Sequence, residues 1–173
     1  NEAVLTNEWM QVSALNEVAP NTSTYQVTNS TFDDYWYSFY NSALENLYQL
    51  NIKADANGND VYAGIAKVLM AYTLGYATDL WGDIPYSQSF EGVSYATPVY
   101  DTQADVYKDI QGLLDSAVTQ LTTRNGISPN DKDYFYSGDP DQWIKMAYTL
   151  QARNAIHLIH APGYDKITQA KLA

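Results

Sequence analysis

Apolar side chains recur at helical spacing in four stretches of this chain, and no stretch alternates with the period of a half-buried strand. The first stripe lies in residues 31–52: Phe32, Tyr35, Trp36, Phe39, Tyr40, Ala43, Leu44, Leu47 and Leu50. Thr31 stands where an N-cap is needed, and Asp33 and Asp34 put negative charge in the first turn, where the helix dipole favours it. So long and aromatic a stripe predicts a face turned to the core. Residues 55–60 read as a turn, with Asn57-Gly58 supplying positive φ and Asn59 or Asp60 capping the next helix. They resemble the start of a calcium loop, but Asp60 stands where that loop needs Gly and Ala66 where it needs a bidentate Glu.

The second helix is expected over 61–81, with Tyr62, Ile65, Ala66, Leu69, Tyr72, Thr73, Tyr76, Ala77 and Leu80 on its stripe. Gly64 and Gly75 inside it each cost about 1 kcal/mol relative to Ala. Close approach of neighbouring helices would offset that loss, so this helix is expected to be covered on more than one side. Thr102 and Asp105 form a capping box ahead of a third helix running to about Leu121. Its inward positions are Val106, Ile110, Leu113, Leu114, Ala117, Val118 and Leu121. Residues 122–139 are the longest polar connection, whose end Tyr134, Phe135 and Tyr136 are expected to pin. Asp139-Pro140 is a clean start for a fourth helix, Asp as N-cap and Pro at the first helical position. Trp143, Ile144, Ala147, Tyr148, Leu150, Ala155, Leu158 and Ile159 form its apolar face, Ala161-Pro162-Gly163 stops it, and Asp165 can cap one more helix. Residues 1–30 are mixed, with a short amphipathic helix permitted around Trp9. Helices joined by short connections favour antiparallel neighbours. The expectation is a single all-α domain over residues 1–173.

The sharpest local signal is the corner Thr78-Asp79-Leu80-Trp81-Gly82-Asp83-Ile84-Pro85-Tyr86. Gly82 suits a left-handed position just past a helix end. Pro85 keeps the helix from resuming. Trp81 is expected as a buried anchor. Asp79 and Asp83 straddle the stop, and their simplest use is to accept hydrogen bonds from exposed backbone N–H groups around the turn.

Charge narrows the partners. Lys and Arg total 9 against 20 Asp and Glu, a net charge of −11. That argues against neutralising nucleic-acid phosphate or gripping anionic lipid. The absence of Cys removes disulfides, thiolate metal sites and Cys nucleophiles. No apolar run reaches the roughly 18 residues of a membrane span.

No catalytic constellation stands out. His157 and His160 are the only histidines, and they lack the companions of a metal site. Asp79 and Asp83 could be read as the carboxylate pair of a glycosidase, but helix-end capping explains their spacing more simply. No cofactor or metal is expected. What remains is aromatic richness, with 16 Tyr, 4 Trp and 4 Phe. Sugar rings stack their C–H faces on such rings, while Asn, Asp and Gln bond the hydroxyls. Trp9, Tyr25, Tyr86, Tyr95, Tyr100 and Tyr134 fall outside the stripes.

Four segments in order carry a resemblance: Trp36-Tyr37-Ser38-Phe39-Tyr40; Ala63 to Tyr72 continuing through the Thr78–Ser87 corner; Tyr100-Asp101-Thr102-Gln103 with Val106-Tyr107; and Tyr136-Ser137-Gly138-Asp139 leading to Trp143 and Arg153. Together they resemble the SusD/RagB family, the SusD-like surface glycan-binding lipoproteins of Bacteroidetes. The resemblance implies antiparallel helix pairs stacked like tetratricopeptide repeats. It implies non-catalytic capture of an oligosaccharide at the outer membrane and delivery to a TonB-dependent, SusC-like transporter. Membrane attachment would be through a lipid anchor that this sequence does not carry, and the chain would be the N-terminal part of a larger protein. Family ligand contacts commonly come from the segment before the first matched helix, here residues 1–30. The candidates there are Trp9 and Tyr25, with Asn16 and Asn21 as polar partners. The residues themselves leave open two rivals: a helical-repeat scaffold for a protein or peptide partner, and a glycosidase.

Overall fold

A computed structural model describes residues 7, 9–13, 25, 28, 30–165 and 168. The helices are α1 (Asp33–Tyr37), a π-helical segment (Ser38–Leu44), α2 (Glu45–Ala56), α3 (Asp60–Trp81), α4 (Gln103–Thr123) and α5 (Pro140–His157), with short 3₁₀ turns in the connections and after α5. Among the described residues there is no strand, only one antiparallel bridge between Ile84 and Asp101. The fold is all-α. The chain divides into two compact units, Asn1–Ser38 and Phe39–Ala173, each treated by itself below.

In the larger unit, α3 is the central element and contacts α2, α4 and α5; α4 also packs on α5. Cross-contacts give the directions. Lys67 reaches Gln120 at 2.8 Å, and Gln103 at the start of α4 donates to the Thr78 carbonyl at the end of α3, so α3 and α4 run antiparallel. Tyr107 meets His157 while Asp115 meets Gln151, so α4 and α5 are antiparallel as well. Tyr40 bonds Pro85 and Asp55 pairs with Lys67, the same relation for the segment before α3. Only the α2–α3 connection, residues 57–59, is short; α3–α4 and α4–α5 are antiparallel although residues 82–102 and 124–139 separate them, so loop length alone does not account for those two pairs.

Coverage on three sides explains the composition of α3. Its buried residues include Val61, Ala63, Gly64, Ala66, Val68, Met70, Ala71, Leu74, Ala77 and Thr78. Of the predicted stripe Ile65, Ala66 and Ala77 are buried, but Tyr72 and Leu80 are exposed, and Tyr62, Leu69, Thr73 and Tyr76 are half-buried. Wrapped by three neighbours, the helix buries residues nearly all round, Ile65, Met70 and Leu74 among them, while its tyrosines, Leu69 and Leu80 stand where cover is partial. Gly64 marks the tightest approach. A Cβ there would stand 2.6 Å from Leu121 Cγ and 3.2 Å from the Ala117 carbonyl, whereas at Gly75 the nearest atom would be Asn154 Oδ1 at 4.0 Å.

The two glycines therefore respond oppositely to alanine. Gly64→Ala incurs about 1–3 kcal/mol of overpacking, more than the ~1 kcal/mol of recovered helix propensity, and is expected to destabilise. Gly75→Ala is expected to stabilise by up to about 1 kcal/mol. Urea unfolding midpoints of the two variants check this; the same sign for both would refute the packing explanation.

Several local expectations need correction. Thr31 does not cap α1: the N-cap position is Phe32, without a side-chain bond, and the Thr31 hydroxyl instead accepts from the Thr28 N–H at 2.9 Å. The helix continues past 52 to Ala56, and its middle is π-helical. An i→i+5 turn does not keep a 3.6-residue stripe in register, and of that stripe only Leu44 is fully buried. Asn59 caps α3, its side chain accepting from the Tyr62 N–H at 3.2 Å. Thr102 caps α4 and Asp139 caps α5 as read from the sequence. In the fourth stripe Tyr148 is exposed, and Ile144 and Ile159 are only half-buried.

The 124–139 connection is pinned by Asp133 together with Phe135 and Tyr136, whose rings meet Trp143 edge-on, and not by Tyr134. Tyr134 is 94% exposed. Asp133 Oδ1 accepts from the N–H groups of Phe135 and Tyr136, and Oδ2 from Gly138 N–H and, at 2.6 Å, from Trp143 Nε1.

Candidate functional site

The corner after α3 is built by hydrogen bonds across sequence. Gly82 adopts φ 76°, ψ −115°, positive φ as expected but outside the left-handed helical region, in a conformation that only glycine takes without strain. Its carbonyl accepts from the buried Thr78 hydroxyl at 2.7 Å. Ile84 and Asp101 exchange backbone bonds of 3.2 and 3.0 Å. The Pro85 carbonyl accepts from Tyr40 Oη at 2.8 Å, and burial pushes that phenol up from its ordinary pKa. Trp81 is half-buried, edge-on to Phe39 with ring centroids 5.5 Å apart, and so is a partial anchor only.

The two corner carboxylates both reach away from the turn, which corrects the expectation that they would bond the turn's own N–H groups. Asp83 Oδ1 accepts from Gln103 N–H at 2.9 Å, at the open N-terminus of α4. Asp79 turns to the side chains of α4 and α5. Its Oδ1 accepts from Tyr107 Oη at 2.5 Å, while Oδ2 lies 3.2 Å from His157 Nδ1 and 3.8 Å from an Arg153 guanidinium nitrogen. Arg153 also covers the Tyr76 ring at 4.8 Å, a cation–π contact. Burial and then the Asp79 carboxylate push the Tyr107 phenol well above its usual pKa. Because the single Tyr107 proton goes to Asp79, His157 Nδ1 must be the donor in its 3.0 Å contact with Tyr107 Oη. This cluster ties three helices together.

Asp101 does for the corner what its own carboxylates were expected to do. Its Oδ2 accepts from the N–H groups of Tyr86 and Ser87, and its Oδ1 from the Ser87 hydroxyl at 2.6 Å. Burial alone would raise this carboxyl; the bonds from Ser87 and Tyr86 outweigh it and hold it below the usual carboxylate range. Burial also pushes the Tyr86 phenol up to about 12. In the sequence Asp101, Gln103 and Tyr107 are visible only as the opening of a helix, because nothing local marks a side chain whose partner lies about twenty residues away.

In the Asn1–Ser38 unit the two candidate rings are brought together. Trp9 and Tyr25 stack with centroids 6.5 Å apart and planes 22° from parallel. The Tyr25 hydroxyl donates to the Trp9 carbonyl. Phe32 meets Trp9 edge-on at 6.5 Å and Tyr35 at 6.1 Å. Tyr25 is 59% exposed and held at φ 58°, an uncommon conformation for a bulky residue. The result is a braced aromatic ledge with one ring open to solvent. Asn16 and Asn21 lie outside the described residues. Phe32 and Tyr35, which complete the ledge, fall on a stripe that the sequence assigns to the core.

Among the described residues no group of three or more His, Asp or Glu could hold a metal ion, and no helix is long and apolar enough to cross a membrane.

A family model, SusD-like, described as "Starch-binding associating with outer membrane", matches residues 1–171. The chain belongs to the SusD-like family. Solved structures agree. A SusD/RagB family protein from Bacteroides thetaiotaomicron is 33% identical with a TM-score of 0.75, over 84% of this chain and 30% of that one. A chitin-binding protein is 28% identical with a TM-score of 0.74, over 85% and 32%. A chitin-binding SusD homolog from Flavobacterium johnsoniae is 28% identical with a TM-score of 0.69, over 78% and 28%. The chain thus spans less than a third of the length of the SusD/RagB structure from B. thetaiotaomicron. No curated protein matches it.

Proposed function

We propose that this chain forms part of an outer-membrane protein that captures a neutral oligosaccharide without cleaving it and delivers it to a TonB-dependent, SusC-like transporter. The observation that carries the reading is the family match over nearly the whole chain. Two of the similar structures are named as chitin-binding, which favours a polysaccharide fragment as ligand. The stacked Trp9–Tyr25 pair supplies a ring face for a sugar, and an acidic protein with a net charge of −11 suits an uncharged one. Surface attachment as a lipoprotein belongs to the same proposal. The engagement of Asp79 by Tyr107 and His157, and of Asp83 by Gln103, favours structural work for both carboxylates over an acid–base pair.

Calorimetric titration with starch- and chitin-derived oligosaccharides tests it. Trp9→Ala or Tyr25→Ala is expected to weaken binding about tenfold, close to 1.4 kcal/mol, and more than removal of any single carboxylate. Affinity should change little between low and high salt, because a neutral ligand offers no charge to screen. Chelator should have no effect, and no shortened sugar should appear. Failure to bind any sugar of the panel, together with tight binding of a peptide, would move the assignment to a helical scaffold.

A further inference from the structure

Between α4 and α5 lies an open cleft of about 650 Å³, within the roughly 300–1,000 Å³ of small-molecule sites. All of its lining residues belong to the Phe39–Ala173 unit. Gly112 forms part of its wall from the middle of α4, where glycine weakens a helix relative to alanine. At Gly64 that loss has a packing reason. At Gly112 it has none: φ is not positive, and nothing lies within 4 Å of the place a Cβ would occupy. What the missing side chain does is leave the cleft open.

The lining chemistry is specific. Tyr107, Ala155 and Leu158 are buried and give an apolar floor. The lining also holds two planar amides and a carboxylate. Gln151 Nε2 donates to Asp115 Oδ1 at 2.7 Å, leaving Asp115 Oδ2 and the Gln151 carbonyl oxygen as acceptors. The Gln111 amide, which can donate and accept, takes no hydrogen bond among the described residues. Lys108 is held by Asp105 at 2.7 Å, so its charge is compensated, and Asp115 leaves the cleft negative on balance. An anionic ligand is disfavoured. Apolar surface together with paired amide and carboxylate groups fits a ring with C–H bonds on its face and hydroxyls around its edge.

We propose that the α4–α5 cleft is a second saccharide site, taking a neutral sugar ring independently of the Trp9–Tyr25 ledge. The test is NMR titration of the ¹⁵N-labelled 173-residue chain with maltose and with N,N′-diacetylchitobiose. The side-chain amide resonances of Gln111 and Gln151 are expected to shift saturably with at least one of them. Gly112→Trp, which fills the cleft, and Gln111→Ala, which removes a bonding group, are each expected to weaken that titration about tenfold or more. Both positions are outside the core, so an unchanged thermal midpoint confirms that the fold is kept.

Glutamine amides that stay still at the highest concentration of both sugars overturn the proposal. So does a Gly112→Trp chain that titrates like wild type. The Trp9→Ala chain separates the two sites: shifts that persist there belong to the cleft, and shifts that vanish there overturn its independence. Should calorimetry find no role for Trp9 and Tyr25 while the glutamine amides respond, the ledge reading falls and the cleft stands.

Discussion

Trp143→Ala is expected to destabilise the protein by about 3–5 kcal/mol, the range for truncating a buried large aromatic side chain. Trp143 is only 2% exposed. Its ring is clasped edge-on by Tyr136 at 5.1 Å and Phe135 at 6.0 Å, and its Nε1 donates to Asp133 Oδ2 at 2.6 Å. Alanine removes the ring from the first turns of α5 and leaves a carboxylate oxygen short of a partner. Trp143→Phe separates the two effects, because it retains much of the apolar surface and loses the N–H. It should cost about 1.5–3 kcal/mol, the contribution of a hydrogen bond to a charged group. Urea denaturation followed by far-UV circular dichroism measures both. A Trp143→Ala chain within about 1 kcal/mol of wild type would show that this site collapses without a cavity.

Trp143 also shows what is legible in the sequence. Its place in the apolar face of α5 can be read from spacing alone, and the Asp139-Pro140 start fixes the register. The four helical stretches and the caps at Asn59, Thr102 and Asp139 are local facts, set by neighbours within a turn, so periodicity and capping chemistry reach them. Asp133 cannot be read that way. In the sequence it is one more acid in a polar loop, and the three aromatics after it look like better anchors. Its value comes from four donors that the loop's path brings to one carboxylate. Asp101 is the same case.

The stripe on α3 runs through its bulky residues only if large apolar side chains mark the buried face. In a helix covered by three others that premise fails. Small residues permit the approach, as Gly64 does against Leu121, Met70 and Leu74 are buried off the stripe, and the tyrosines stand on the less covered side. The π-helical segment at 38–44 carries no sequence signal that periodicity can read. For the ledge, the sequence marks Trp9 and Tyr25 only as rings that no stripe claims. The stacking of the two rings depends on contacts 16 residues apart that spacing does not encode.

Asp133→Ala is expected to cost about 3 kcal/mol, because hydrogen bonds to a charged group contribute about 1.5–3 kcal/mol and the donors of the buried Gly138 and Trp143, left unmet, cost about 1–3. The backbone N–H groups of Phe135, Tyr136 and Gly138 and the Trp143 indole all lose their acceptor. The same bonds predict a pH dependence. Burial alone would push the Asp133 carboxyl up, but the indole and the three backbone donors hold it below the usual carboxylate range. The folded state therefore binds its proton more weakly than the unfolded chain, and stability rises with pH through the interval between the two pKa values. The contribution is complete above the unfolded value of about 3.9 and is lost as pH falls through the lower folded value. Asp101 acts in the same direction. Asp109 opposes both, since burial and the nearby Asp101 and Asp105 charges raise its carboxyl, so its protonation in acid is a relief. Unfolding free energies measured from pH 7 down to 2.5 should fall less steeply below about pH 4 in Asp133→Asn than in wild type. Asn keeps one acceptor oxygen, so at neutral pH it should cost less than Ala. Parallel acid limbs for wild type and Asp133→Asn would mean that Asp133 holds the loop without its charge mattering, and the electrostatic contribution would be ruled out while the hydrogen bonds remained.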